Sequence, residues 1–279
     1  MNINWKLKSR IFSIIDIFDL QSFLYFIQKY VTKRSRVIIK NIDKNWIIHK
    51  NNISSLKSPS LIEFGAGKSL MQNIYIHQFC RSQTVVDLFP MLDIKQFNEA
   101  AYQISKIDPN LPYLKCYNKE DINKNYLLNY IAPFDMENTK WCDNSFDCCV
   151  STNTLEHIPE DSIRAILSEI FRVVKNDGII SMIIDYSDHY AHTDKNIGLL
   201  NFLSYSKSEW RRYNHKSHFQ NRLRHNDYKN IFSELGFVIE VDKPMFDEEM
   251  PFNISKDFNA SDPTVHATAG NFLLRVNKK

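Results

Sequence analysis

Two stretches of the sequence gather groups able to do chemistry. In Leu61-Ile62-Glu63-Phe64-Gly65-Ala66-Gly67-Lys68-Ser69, apolar residues run into an acid and then into two glycines one residue apart. Such a run predicts a buried strand that breaks into a tight turn and then a helix. Gly65 can supply a positive φ, and the missing Cβ at Gly67 lets a ligand lie against the backbone. Unpaired N–H groups at the helix start favour a polar or anionic ligand group. Downstream, Asp185-Tyr186-Ser187-Asp188-His189-Tyr190-Ala191-His192-Thr193-Asp194 is dense in carboxylates and imidazoles, groups that act as bases or ligands near neutral pH.

The glycine turn has two readings. Gly67-Lys68-Ser69 matches the tail of a phosphate-binding loop, but that loop requires an earlier glycine where Ile62 stands. The other is a nucleoside-cofactor site, which needs a second acid about 20 residues on, closing the next strand, to hold ribose hydroxyls. Asp87, at the end of Thr84-Val85-Val86-Asp87, supplies that bidentate acceptor, and Leu88 would pack on the base. A dinucleotide site is disfavoured because Ser69 occupies the place of its third glycine.

Strands and helices must alternate to position these residues. Strands are predicted over 61–64, ending at 87, near 131–132, and over 146–151, 179–184, 237–241 and 271–276. Helices are predicted from about 69, and over 97–107, 160–175 and 227–235. In the third of these, Ile163, Ile166, Leu167, Ile170 and Val174 share a face, and Asn176-Asp177-Gly178 reads as a glycine stop. The alternation predicts an α/β fold with a doubly wound, mostly parallel sheet, and ligands at the carboxyl edge of its strands. Residues 186–227 are too long for a plain connection and read as a substrate lid inserted in a domain spanning 58–279.

Residues 1–57 read as a helical N-terminal cap. Ile11, Ile14, Ile15, Phe18, Phe23, Phe26, Ile27, Tyr30 and Val31 recur at helical spacing, with Lys33, Arg34 and Arg36 beyond. A helix lying on a membrane surface is the other reading, opposed by Asp16 and Asp19 within the stretch.

The order of Glu63-x-Gly65-x-Gly67, Asp87, Asp143-Asn144-Ser145-Phe146-Asp147-Cys148-Cys149-Val150-Ser151 and Thr154-Leu155-Glu156-His157-Ile158 resembles a class I S-adenosylmethionine (SAM) dependent methyltransferase of type 11. The resemblance covers about 58–184, with a weaker echo to the C-terminus. It implies SAM as cofactor and a seven-stranded Rossmann-like sheet whose last strand runs antiparallel between strands five and six. It also implies that Glu63 positions the methionine end of SAM through the turn Gly65-Ala66-Gly67. Asp135 would accept from the adenine amino group and the N–H of Met136 would meet the ring, although an Asp in a loop also forms a simple turn. Thr152 and Asn153 would line the methionine side. His157, in the Leu-Glu-His run, would face the donor methyl or cap a helix start near Pro159-Glu160.

Methyl transfer from a sulfonium is an in-line displacement, in which the protein orients the partners and takes a proton from a hydroxyl acceptor. His189 or His192 suits the base and Asp188 the group that orients it. A metal held by Asp and His would instead activate a sugar diol, but the spacing matches no zinc motif and no metal is expected. The plain alternative is a polar loop that satisfies its own backbone. Tyr186, Arg222 and Arg224 are the further acceptor-binding candidates, the arginines as a clamp on phosphate or carboxylate. Such arginines also bridge to surface acids, here Asp227 or Glu234; Tyr205, Trp210 and Tyr213 stack on a sugar face or form cap core.

Composition narrows the function classes. An apolar share of 43% over 279 residues supports a sizeable core, and a net charge of +3 gives no concentrated basic face for nucleic acid. No Asn/Asp-Pro-Pro-Tyr-like tetrad follows strand four to hold a flipped base. Five cysteines without a CxxC pair read as free thiols in a reducing cytoplasm. No cleavable signal is visible, and Asp16, Asp19, Gln21 and Lys29 interrupt the apolar run of 11–31, against a membrane span. The sequence therefore predicts a cytoplasmic SAM-dependent methyltransferase acting on oxygen or nitrogen of a small polar acceptor, with a sugar, nucleotide sugar or surface-polysaccharide precursor preferred. The alternative is a SAM-fold binding or scaffold protein without turnover.

Overall fold

β1 (Ser60–Phe64) is buried along nearly its whole length, and it is an interior strand, third from one edge, of a seven-stranded sheet. The computed structural model describes residues 3–20, 37–247 and 253–278. The further strands are β2 (Ser82–Val86), β3 (Leu128–Ile131), β4 (Phe146–Thr152), β5 (Val174–Asp185), β6 (Phe237–Met245) and β7 (Ala269–Val276), in the order β3-β2-β1-β4-β5-β7-β6. The first five run parallel, and β7 is antiparallel between β5 and β6, as the family resemblance implies. The strand order reverses between β1 and β4, and a crevice opens there beyond the carboxyl ends of the strands.

The strands' period of two separates two cores. Cys149 faces one with Ile62 and Ile180, against α6 (Glu160–Val173) and α7 (His225–Glu234). Cys148 faces the other with Leu61, Val85 and Ile179, against α2 (Lys44–Ile53), α3 (Met71–Ile76), α4 (Ile94–Ile107) and α5 (Lys119–Tyr126). Side-chain caps open several helices, among them Asn4 for α1 (Trp5–Ile17), Asp43 for α2, Asp93 for α4 and Asn118 for α5.

Several sequence boundaries are corrected. α6 ends at Val173, and Val174 already pairs with Phe146, so Gly178 lies within a strand and is not a helix stop. A Cβ at Gly178 would meet Val174 Cγ1 at 2.4 Å and the Lys175 carbonyl oxygen at 2.7 Å, so the glycine serves a close backbone approach. α3 starts at Met71, after a left-handed Leu70. The polar residues 111–129 contain α5, and the lid carries a short 3-10 segment, Asn201–Ser204.

The two described N-terminal helices pack on different parts of the fold. α1 packs on the lid: the Trp5 ring meets Tyr190, Tyr205, Trp210 and Tyr213, and Phe12 stacks on His218 at 4.5 Å. α2, unrecognised in the sequence, packs instead on β4 and β5. Phe23, Phe26, Ile27, Tyr30, Val31, Lys33, Arg34 and Arg36 of the predicted amphipathic stretch lie outside the described residues. Among the described residues no helix is long and apolar enough to cross a membrane.

Candidate active site

β1 ends in the glycine turn, and both glycines take positive φ, 76° at Gly65 and 77° at Gly67. They serve different needs. A Cβ on Gly65 would stand 2.2 Å from Thr154 Cγ2, in the loop after β4, whereas nothing lies within 4 Å of a Cβ built on Gly67. Gly65 permits the packing of two loops, and Gly67 keeps the wall of a cleft of about 410 Å³ open. The cleft lies at the carboxyl edge, and Gly65, Gly67, Asp87, Leu88, Asp135, Met136, Asn153 and His157 all line it. Its volume is that of a small-molecule site.

Asp87 follows β2 and is buried, with Tyr130 Oη donating to its Oδ2 at 2.8 Å. Burial raises its carboxyl, opposed by Tyr130 and by the N–H groups of Gly67 and Ala66. Those N–H groups tie the two ends of the predicted motif to each other. Tyr130 Oη also accepts from the N–H of Met91 at 2.9 Å, which holds the loop that carries the exposed Leu88 and Phe89. Exposed apolar side chains at a cleft mouth are available to a flat, aromatic ligand. Asp135 is exposed, and its Oδ1 accepts from the N–H of Glu137 in the local turn that the sequence also allowed; Met136 is buried beneath it.

Glu63 does not line the cleft. It is buried, with Gln72 Nε2 donating to Oε1 at 3.0 Å and Asn73 Nδ2 to Oε2 at 2.7 Å. Burial pushes its carboxyl up to about 8 against those two bonds. The acid therefore ties the start of α3 to the end of β1, behind the turn. Thr152 does not line the cleft either: its Oγ1 donates to Gln72 Oε1 at 2.8 Å and so accepts from His49 Nε2 at 2.7 Å. His49 Nδ1 then accepts from Ser181 Oγ at 2.7 Å. This chain requires a neutral imidazole, and burial pushes His49 down to about 3. His49 was missed in the sequence because α2 was; Trp46, His49 and Ile53, buried at helical spacing, were the available signal.

A second, polar cleft of about 230 Å³ shares Asn153 with the first, and Lys44, Asp185, Ser187, His192 and Asp247 also line it. Asn153 has φ 50° and its N–H donates to the Ile183 carbonyl at 2.8 Å, which fixes the bend between the clefts. Here the predicted catalytic residues separate. The His189 ring lies 4.8 Å from His157 and 5.2 Å from His192, between the two. His192 Nε2 is 3.2 Å from Ser187 Oγ, and burial together with His189 lowers its imidazole. Asp188 is turned away from these rings: it is buried, with Oδ1 accepting from Tyr190 N at 2.9 Å and Oδ2 from Asn201 Nδ2 at 2.7 Å. The carboxylate beside His189 is that of Asp185, with Oδ2 3.4 Å from Nε2. Burial would raise Asp185, but the neighbouring His189 imidazole and the hydrogen bonds from Ser187 outweigh it and hold the group down. The signal for Asp185 was its place as the last residue of β5, at the same edge as Asp87.

The predicted acceptor-binding set is mostly structural. Tyr186 is buried, stacked on Tyr228, with its hydroxyl 3.1 Å from His225 Nδ1. Arg224 is buried and donates from all three guanidinium nitrogens to the carbonyls of Val265, Tyr186 and Ala267, so it braces the lid. Arg222 donates to the Phe202 and Tyr205 carbonyls, beside a separate cleft. Tyr205, Trp210 and Tyr213 pack with Trp5 as lid core. Of this set only His157 reaches the cofactor cleft. Next to it, Glu156 was given no role in the sequence; it is 2% exposed, and neither carboxylate oxygen has a hydrogen-bond partner. Glu156, His157 and His189 each bring a ligand atom within 4.8 Å of the others.

A family model described as a methyltransferase domain (Methyltransf_11) matches residues 89–182. No curated protein matches the chain. Similar solved structures include the 1,6-didemethyltoxoflavin N1-methyltransferase of Burkholderia thailandensis with bound S-adenosylhomocysteine, at 12% identity over 93% of this chain and 88% of that one, TM-score 0.49. The N-methyltransferase NodS of Bradyrhizobium japonicum, also with S-adenosylhomocysteine, is 11% identical over 86% of this chain and 90% of that one, TM-score 0.47. The YcgJ protein of Bacillus subtilis is 13% identical over 84% and 98%, TM-score 0.46. The weight rests on the family match, which begins just beyond Asp87 and runs through the Leu-Glu-His segment into β5. Together with the glycine turn and the carboxylate at the end of β2, that match over residues 89–182 supports a class I SAM-dependent methyltransferase.

Proposed function

We propose that the chain moves the methyl group of SAM to an oxygen or nitrogen of a small polar acceptor, and that sugars, nucleotide sugars and polysaccharide precursors are the acceptor class to test first. The carrying observation is the polar cleft that meets the cofactor cleft at Asn153, lined by Asp185, Ser187 and His192. An acceptor seated there would offer its hydroxyl or amine across Asn153 to the donor methyl, and a volume of about 230 Å³ suits a group near the size of one sugar ring. Within this reading SAM would be held by the glycine turn and Asp87, with Glu63 and Thr152 supporting the turn from behind. His192 would take the acceptor proton, and Asp185 would set the neighbouring His189. Five free cysteines fit a reducing, cytoplasmic setting.

The test is formation of S-adenosylhomocysteine from SAM over a panel of sugars and nucleotide sugars, with products identified by mass spectrometry. His192→Ala is expected to lower kcat by roughly 100-fold or more, the ordinary weight of a general base, with cofactor affinity unchanged. Methylation confined to apolar acceptors, or full turnover in the variant, would overturn the proposal.

A further inference from the structure

We infer that Glu156, His157 and His189 form a binding site for one divalent transition-metal ion between the two clefts. The three residues come from two places, the 3-10 turn after β4 and the loop after β5, and their ligand atoms lie within 4.8 Å of one another. Bonds of about 2 Å to one ion place its ligands roughly 3–4 Å apart, so a modest inward movement of side chains completes the set.

Three features of the surroundings point to a cation. The Glu156 carboxylate is 2% exposed, and neither of its oxygens has a hydrogen-bond partner among the described residues. A buried carboxylate left in that condition is costly unless a charge or a donor meets it. His157 Nδ1 donates to the Phe219 carbonyl at 3.1 Å, which leaves the lone pair on Nε2 and orients the ring, the usual arrangement behind a metal-bound histidine. The Nε2 atom of His189 is buried and makes no hydrogen bond, with Asp185 Oδ2 nearest at 3.4 Å. Asp185 is thus placed to support His189 or to join the set. Two imidazoles and a carboxylate suit Mn²⁺, Fe²⁺, Co²⁺ or Zn²⁺ better than Mg²⁺ or Ca²⁺, and three ligands leave coordination positions open.

The location gives the ion a use. His157 lines the cofactor cleft, while Asp185 and His192 line the polar one. An acceptor hydroxyl bound to the ion has a lowered pKa and gives its proton to His192. The oxygen then forms its bond to the donor methyl as the carbon–sulfur bond breaks, the electron pair stays on sulfur, and neutral S-adenosylhomocysteine leaves. This use rests on the proposed acceptor reading; the site itself does not.

The experiment uses the full chain stripped with chelator, then titrated with Co²⁺ as the probe, read by calorimetry and by visible absorption of the bound ion. A parallel titration with S-adenosylhomocysteine reports the cofactor site alone. One equivalent of Co²⁺ is expected to bind, with affinity lowered at least 10-fold in both Glu156→Gln and His189→Asn, while Glu156→Gln binds S-adenosylhomocysteine within twofold of the parent chain. That last control also shows that the variant is folded. Absence of Co²⁺ binding, or binding indifferent to both substitutions, would overturn the inference even where the cofactor binds. Cofactor silence with Co²⁺ bound would count against the methyltransferase reading and leave the metal site standing.

Discussion

The two glycines of the turn share a backbone conformation but not an environment, so the same substitution should act differently at each. At φ near 76° an alanine carries the left-handed penalty, roughly 1–2 kcal/mol, partly offset by the smaller entropy of its unfolded chain, about 0.4–1 kcal/mol. These contributions are common to Gly65→Ala and Gly67→Ala and cancel in their difference. What remains is the contact of a Gly65 Cβ with Thr154, at 2.2 Å to Cγ2 and 2.6 Å to Oγ1, an overpacking worth roughly 1–3 kcal/mol. Denaturant unfolding should therefore show Gly65→Ala less stable than Gly67→Ala by about that amount. Adding Thr154→Ala removes Cγ2 and Oγ1 but leaves Cβ at 3.0 Å, so a double-mutant cycle should return most of the difference as coupling. Gly67→Ala, with its methyl in the open cleft, should keep most stability and lose at least 10-fold in S-adenosylhomocysteine affinity. Equal stability of the two single variants, or no coupling between positions 65 and 154, would refute the division of labour.

Tyr130→Phe removes the donor to Asp87 and the acceptor for Met91 N–H, and calorimetry should show cofactor affinity about 3–10-fold weaker, the worth of an ordinary hydrogen bond. His49 is lowered by burial from 6.5 to about 3, so the unfolded chain binds the extra proton. Its contribution to stability is complete above about 6.5 and is lost as pH falls through 3, on the order of several kcal/mol; His49→Gln should flatten that acid limb relative to the parent. Glu63 has the opposite sign. Raised from 4.5 to about 8, it contributes fully below 4.5 and progressively less as pH rises through 8, and Glu63→Gln should flatten stability across that window.

The alternation of strands and helices and the turn after β1 were legible because each rests on local chemistry, whereas the antiparallel last strand came from the family resemblance. A glycine pair after an apolar run specifies a turn, and an acid closing a strand specifies an edge, whatever packs behind them. Residues whose roles depend on distant partners were not legible. Glu63 was read as acting through the glycine turn, but its partners Gln72 and Asn73 come from a helix the sequence placed only approximately. Asp188 and Asp185 are equally acidic in sequence; only the fold turns one toward Tyr190 N and Asn201 and the other toward His189. Arg224 carries the same charge as any anion clamp, and nothing short of the three carbonyls around it reveals a brace. The aromatic residues of 186–227 could not be told from a sugar platform until Trp5 was seen among them.

The most direct measurement is calorimetric titration of the chain and of Asp87→Ala with S-adenosylhomocysteine, with NAD and ATP as controls. Micromolar binding of S-adenosylhomocysteine is expected, with no heat from either control. In the variant, affinity should fall at least 100-fold, because two ribose hydroxyls lose charge-assisted bonds of roughly 1.5–3 kcal/mol each. Binding of NAD or ATP in place of S-adenosylhomocysteine, or an Asp87→Ala variant that binds it as tightly as the parent chain, would contradict the assignment of the glycine turn and the carboxylate at the end of β2 to SAM.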